Sequence, residues 1–145
     1  MTSVDFEAEH QVIAREAAVA EDVNPNRYRL INGRIDEVLE RLTEGGYDIA
    51  LVSSKVTDID KHLTAARNLL RPGGLLIIEG YGPRQMVYKT GGPGVEENLY
   101  TLPLLGEAFA GWSLVHSRDC DAELAEGSAH VGASHLVSAV FRKPG

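Results

Sequence analysis

Residues 74–79, GLLIIE, run apolar until the acid Glu79. Tyr81 follows two positions on, with Tyr88 and Tyr100 beyond. An acid placed where an apolar run gives out is either a strand end facing water or the floor of a ligand site. The three tyrosines reach the same edge as Glu79 only if the segment between them folds back; otherwise their rings simply pack that segment. Asp5 poses a similar pair of alternatives, because it follows the β-branched Thr2 and Val4 and precedes a stretch rich in Ala and Glu. A carboxylate there either caps the next helix or offers a ligand a bidentate acceptor.

The other chemistry-bearing side chains are sparse. His10, His62, His116, His130 and His135 show no His-Glu-x-x-His spacing, so a histidine metal site is not expected. Ser53 and Ser54 end a second apolar run, where a hydroxyl is a poor ligand for a hard divalent cation, and no metal is expected there either. The single cysteine, Cys120, excludes an intrachain disulfide framework and a thiolate cage. Acids follow it and no partner base is identifiable, so it is not expected to be a nucleophile.

Composition narrows the classes further. The chain has 145 residues, 43% hydrophobic and 24% charged, with a formal net charge of −7 and acids and bases interspersed. That length suits one domain with a real core, here residues 1–145. The charge argues against nucleic-acid binding by phosphate neutralisation. The longest apolar run is too short to span a bilayer, and a soluble, cytoplasmic protein is the expectation.

The elements that must position these residues follow from periodicity and breakers. TSVD reads as the end of a strand, and FEAEHQVIAREAAVAED as a helix with Ile13, Ala17 and Ala20 on one face, closed by Asn24-Pro25-Asn26. RYRLING gives a short strand before Gly33, and Ile35, Val38, Leu39 and Leu42 mark a second helix ending at Gly45-Gly46. YDIALVS reads as a strand buried on both faces. Thr57 and Asp58 can cap a third helix with Ile59, Leu63, Ala66 and Leu70 inward, stopped by Pro72-Gly73-Gly74. After the strand GLLIIEG comes a long Gly- and Pro-rich loop, 82–100, and then a helix entered through Thr101 with Pro103 in its first turn. Strands at 112–116 and 134–142 close the chain as an antiparallel pair, joined by a long connection from Ser117 to Ala133. Short connections and right-handed crossovers make this a doubly wound α/β sheet.

This order of elements, with RPGGLLIIEG before the antiparallel pair, resembles the class I methyltransferases that use S-adenosylmethionine, whose sheet order is three, two, one, four, five, seven, six. The segment from TSVDFEAEHQVIARE through GRIDEVLERLTEGGYDIALVSSK is similar to the catechol-type O-methyltransferases. EGYGPRQMVYKTGGPGVEENLYTLPLLGEAFAGWSLVHS, with VFRKP, is similar to the methyltransferases of the tellurite-resistance type. The resemblance implies a Rossmann-like sheet, mostly parallel with a carboxy-terminal antiparallel pair, and transfer of a methyl group from S-adenosylmethionine to a small molecule.

It also implies roles for individual residues. Asp5 would take the ribose hydroxyls. Gly33 and Arg34 stand where the family has Gly-Asp facing the adenine, but an Arg can only donate. Ser53 and Ser54 would line a pocket at the carboxyl end of their strand, where the catechol-type enzymes carry a metal-binding acid. Glu79, Tyr81, Tyr88 and Tyr100 would line the acceptor side, where a carboxylate and rings suit a departing positive charge. His130 and His135 would fall near the substrate side. The chain begins at what would be strand two, without strand one and its Gly-x-Gly-x-Gly turn. A second expectation therefore stands beside catalysis: a methyltransferase-like binding or assembly module whose unpaired sheet edges form a homo-oligomer.

Overall fold

The computed structural model describes residues 2–5, 8–22, 24, 29–32, 42, 44–53, 59–125 and 131–145. Gly33, Arg34, Ser54 and the helix expected from Ile35 lie outside them. The chain divides into two compact units, residues 1–42 and 43–145.

In the first unit, β1 (Thr2–Asp5) and β2 (Arg29–Asn32) pair in parallel, with Asp5 beside Asn32 at their carboxyl ends. Between them α1 spans Ala8–Ala20 and ends in a turn where Asp22 takes a left-handed φ of 52°. The expected inward face is not the one observed: Ala18 is buried, whereas Ala17 and Ala20 are exposed. With alanines at 14, 17, 18 and 20, several stripes of this helix are about equally apolar. Periodicity alone therefore does not choose among them.

The second unit holds β3 (Tyr47–Ser53), α2 (Ile59–Leu69), β4 (Leu70–Tyr81), α3 (Gln85–Tyr88), α4 (Leu102–Ala108), β5 (Ser113–Ala125) and β6 (Val131–Arg142). The strand order is β3-β4-β6-β5, with β3 and β4 parallel and the other pairs antiparallel. In β4, Leu76 and Ile78 are fully buried, and their partners Phe141 and Ala139 on β6 continue the same face. Leu63 and Ala66 of α2 cover that face, together with Leu105 of α4 and Phe109 just beyond it. Burial of each large aliphatic side chain contributes roughly 1.5–3 kcal/mol, so this one-sided core accounts for the order of the unit.

Local chemistry sets the ends of these elements. Thr101 caps α4 by accepting the Leu104 N–H at 3.2 Å, and Pro103 sits in the first turn, where its missing N–H is not needed. The carboxyl end of α2 is finished by the tail of the chain: Lys143 Nζ donates to the carbonyls of Arg67 and Leu70 at 2.8 and 2.7 Å. Leu70, expected at the end of the helix, instead starts β4 opposite Tyr47, and the ladder shifts register before Ile49 meets Leu75. Gly74 makes that shift possible, since a Cβ there would lie 2.9 Å from the Arg71 carbonyl and 3.0 Å from that of Asp48.

The long connection expected from Ser117 to Ala133 is largely strand. β5 runs on to Ala125 and β6 begins at Val131, with Asp121 opposite His135 and Ala125 opposite Val131. The two strands therefore extend as an arm past the carboxyl end of β4, whose last partner on β6 is Leu136. The signal was present in DCDAEL, where Cys120, Ala122 and Leu124 are half-buried and Asp119, Asp121 and Glu123 exposed.

Candidate functional site

Ligands gather beyond the carboxyl ends of parallel strands in sheets of this kind. In the second unit β3 ends at Ser53, whose register partner Glu79 lies just before the end of β4 at Tyr81; Ser138 on β6 lies opposite Glu79, and Arg118 on β5 opposite Ser138. These register partners form a row across all four strands, in which Glu79 and Ser138 lie on the face opposite the α2/α4 core. Glu79 is exposed there, so its carboxylate stays hydrated and available.

The tyrosines divide. Tyr81 is 7% exposed, and its ring packs against the backbone of Gly92, where a Cβ would fall 2.6 Å from the ring. Tyr100 is 1% exposed within the hydrophobic core, its N–H bonded to the Tyr81 carbonyl at 2.8 Å. The segment does fold back as expected, and both rings serve its packing. Tyr88, at the end of α3, remains half-buried.

The Tyr100 hydroxyl is buried with no hydrogen-bond partner among the described residues, and burial pushes it up to about 12. Its neutral form is favoured in the folded chain, so the associated stability is complete below the ordinary phenol range and is lost as pH rises from about 10 toward 12. Tyr100→Phe is expected to leave stability unchanged or raise it by up to about 2 kcal/mol, because it removes an unsatisfied polar group. Urea denaturation at neutral pH measures this, and a loss above about 1 kcal/mol would reveal a partner for the hydroxyl.

The expected loop from 82 to 100 contains α3 and a turn of 3₁₀ helix at Glu96–Asn98. Its first part replaces β4 as the neighbour of β6 once β4 has ended. Gly82 N–H donates to the His135 carbonyl at 2.8 Å, and the His135 N–H donates to Gln85 Oε1 at 3.0 Å. Thr90 Oγ1 donates to the Ala133 carbonyl at 2.7 Å, while Gln85 Nε2 donates to Thr90 Oγ1 and the Gly91 carbonyl. Side chains here do the work of a missing ladder, which an edge strand with buried backbone requires.

Around this seam lies an ionic cluster. His135, 2% exposed, has Nε2 at 2.8 Å from Asp119 Oδ1, and its Nδ1 accepts the Arg84 N–H at 3.0 Å. The Arg84 side chain bonds Asp121 at 3.0 Å and approaches Asp119 at 3.5 Å. The hydrogen bond from His135, with the nearby charges, holds the Asp119 carboxyl below the usual range. Its contribution to stability is present above the ordinary carboxylate range and fades as pH falls through the depressed value. Both His135 nitrogens are thus engaged by groups of the same chain. Of this group His135 drew attention in the sequence, and Arg84, Gln85 and Thr90 lie in the segment similar to the tellurite-resistance type; Asp119 and Asp121 carried no motif, and their meeting with the others was not legible because the hairpin and the turn that unite them lie far apart in the chain.

A nucleoside sulfonium cofactor needs a polar acceptor for its ribose and a close backbone approach. Asp5 in the first unit and Ser53 in the second each stand at the carboxyl end of a parallel strand. Gly74, Gly82, Gly92 and Gly132 press against this chain's own atoms, whereas Gly45, Gly73, Gly94, Gly106 and Gly111 have open space where a Cβ would stand. Among the described residues no cluster of three or more His, Cys, Asp or Glu side chains could hold a metal ion, and no helix is long and apolar enough to cross a membrane.

The strand order β3-β4-β6-β5 reproduces the four-five-seven-six half of the class I sheet. Solved structures share the architecture. TehB from Haemophilus influenzae superposes with a TM-score of 0.71 at 13% identity, over 98% of this chain and 49% of that one. A SAM-dependent methyltransferase from Methanosarcina mazei gives 0.68 at 13% identity, over 99% and 81%. The fold is that of the class I methyltransferases, Rossmann-like and α/β. In sequence, the relatives are O-methyltransferases, so named by inference: one from a Mycobacterium species, strain JLS, is 38% identical over 78 residues, or 54% of this chain and 36% of the relative. Another, from Mycolicibacterium vanbaalenii, is 41% identical over 78 residues and 34% of its length. The match thus spans well under half of these relatives. No family model matches the chain.

Proposed function

We propose that this chain carries part of the cofactor and acceptor site of an S-adenosylmethionine-dependent methyltransferase acting on a small molecule. The observation that carries the proposal is the polar row Ser53–Glu79–Ser138–Arg118 at the carboxyl edge of a class I sheet, supported by the sequence match to O-methyltransferases. In this reading Asp5 accepts from the ribose hydroxyls, and Gly33, Arg34, Ser53 and Ser54 border the cofactor. Glu79 and Tyr88 face the acceptor, while Tyr81 and Tyr100 hold their frame from within.

Calorimetric titration of the full chain with S-adenosylmethionine or S-adenosylhomocysteine tests it. Saturable heat is expected, and Asp5→Asn should weaken binding by about tenfold or more, the worth of a charge-assisted hydrogen bond. No heat at millimolar ligand would end the reading.

A second reading is a methyltransferase-like module that binds or assembles without catalysis. It is favoured by β3, which ends the order of its sheet and on which Ile49 and Leu51 are 57% and 67% exposed. Such an edge invites pairing with a second copy. A compact monomer by sedimentation at high concentration would argue against that assembly.

A further inference from the structure

The seam between the 82–100 segment and the β5–β6 arm runs through one buried ring, that of His135. Because Nδ1 of His135 accepts the Arg84 N–H, its lone pair is in use, and the single ring proton must sit on Nε2, directed at Asp119. The ring is walled in. Gly82 lies so close that a Cβ would come 2.4 Å from Nδ1, and the residue is 2% exposed. A second proton, on Nδ1, would meet the Arg84 N–H donor to donor at a ring that is almost wholly buried.

We propose that His135 is a proton-sensitive latch: neutral, it fastens the 82–100 segment to the β5–β6 arm; protonated on Nδ1, it releases that segment from the carboxyl edge of β4.

The charged groups around the ring decide how the strain is relieved. From β5, Asp119 and Asp121 face it; from the turn before α3 comes the Arg84 guanidinium, with the Tyr88 phenol of α3 near that guanidinium. Asp119 would welcome an imidazolium and Arg84 would oppose it. The guanidinium already spans both carboxylates, so the arm keeps the ring through Nε2. The contact that yields is the one to the Arg84 backbone. Its loss frees the start of α3, and Gln85 and Thr90, which hold the edge of β6, are strung directly behind it. Carboxylates, phenols and guanidinium ordinarily titrate outside pH 5–8, and imidazole is the side-chain type here that ordinarily titrates inside it.

The latch stands whether or not the chain transfers methyl groups, and its test reads the segment itself. Amide hydrogen exchange of the full chain, corrected for intrinsic rates, is measured at about pH 8 and about pH 5.5. Peptides covering residues 83–100 are expected to lose protection by about tenfold or more at the lower pH, while those from α2 and the buried part of β4 keep theirs. In His135→Gln, whose amide can donate and accept but cannot titrate, the dependence on pH should vanish. Equal protection at both pH values, loss in every element together, or the same dependence in the variant would each overturn the proposal. Should that variant fail to fold, nitrogen-15 spectra of the wild-type imidazole decide: Nδ1 must gain its proton at the pH where the segment loses protection, and separate midpoints would overturn it.

Discussion

Phe109→Ala is expected to destabilise the protein by about 3–5 kcal/mol, the largest loss from any single side chain considered. Phe109 follows α4 directly, is 1% exposed and belongs to the core. Its ring meets Trp112 edge-on at 5.1 Å and Phe141 of β6 at 5.2 Å, and the Arg67 guanidinium of α2 lies 5.7 Å over its face. One aromatic side chain therefore joins α4, β6 and α2. Truncation leaves a cavity these rigid partners cannot close, so cavity and transfer terms add. Chemical denaturation followed by far-ultraviolet circular dichroism measures the loss. A value below about 1 kcal/mol would mean that the core collapses around the site and is less well fixed than its packing indicates.

Gly82→Ala is the second large effect, expected at about 3 kcal/mol or more because it overpacks a site with no slack. The new Cβ would stand 2.3 Å from Cε1 and 2.4 Å from Nδ1 of His135, and 2.9 Å from Val137 Cγ2. Neither neighbour can move freely: Val137 is fully buried, and His135 is held through both ring nitrogens. The requirement for glycine here is steric, since Gly82 is not among the glycines at positive φ. Gly106→Ala supplies the contrast, because nothing lies within 4 Å of a Cβ placed there in α4. That change should stabilise by up to about 1 kcal/mol through helix propensity. Thermal unfolding of the two variants should therefore move in opposite directions, and a neutral Gly82→Ala would show that His135 is less firmly seated than its contacts require.

Much of the second unit was legible in the sequence. The run YDIALVS and the cap at Thr101 each signal their element through local chemistry, and the elements appear there. However, β3 ends the order of its sheet with Ile49 and Leu51 exposed and is not buried on both faces, and the helix before Pro72-Gly73-Gly74 already ends at Leu69. The parallel pairing of β3 and β4 follows from the helix between them, as a crossover demands. The arm of β5 and β6 was partly missed because acids alternating with Cys120, Ala122 and Leu124 read first as polar connection. The small side chains on the inner side gave that alternation little hydrophobic contrast. The inward face of α1 was ambiguous for a related reason: alanine supplies helix propensity without marking a side.

The candidate site divides along the same line. The sequence by itself determined the placement of Asp5, Ser53 and Glu79 at or near strand ends, because an apolar or β-branched run that gives way to polar residues marks where a strand runs out. Only the tertiary structure decided that Tyr81 and Tyr100 turn inward, that Ser138 and Arg118 extend the row begun by Ser53 and Glu79, and that Arg84, Asp119, Asp121 and His135 meet. Those contacts join residues far apart in the chain, through register and through the close approach at Gly82. Propensity and periodicity act over a few residues, whereas register and close packing exist only once the strands have paired.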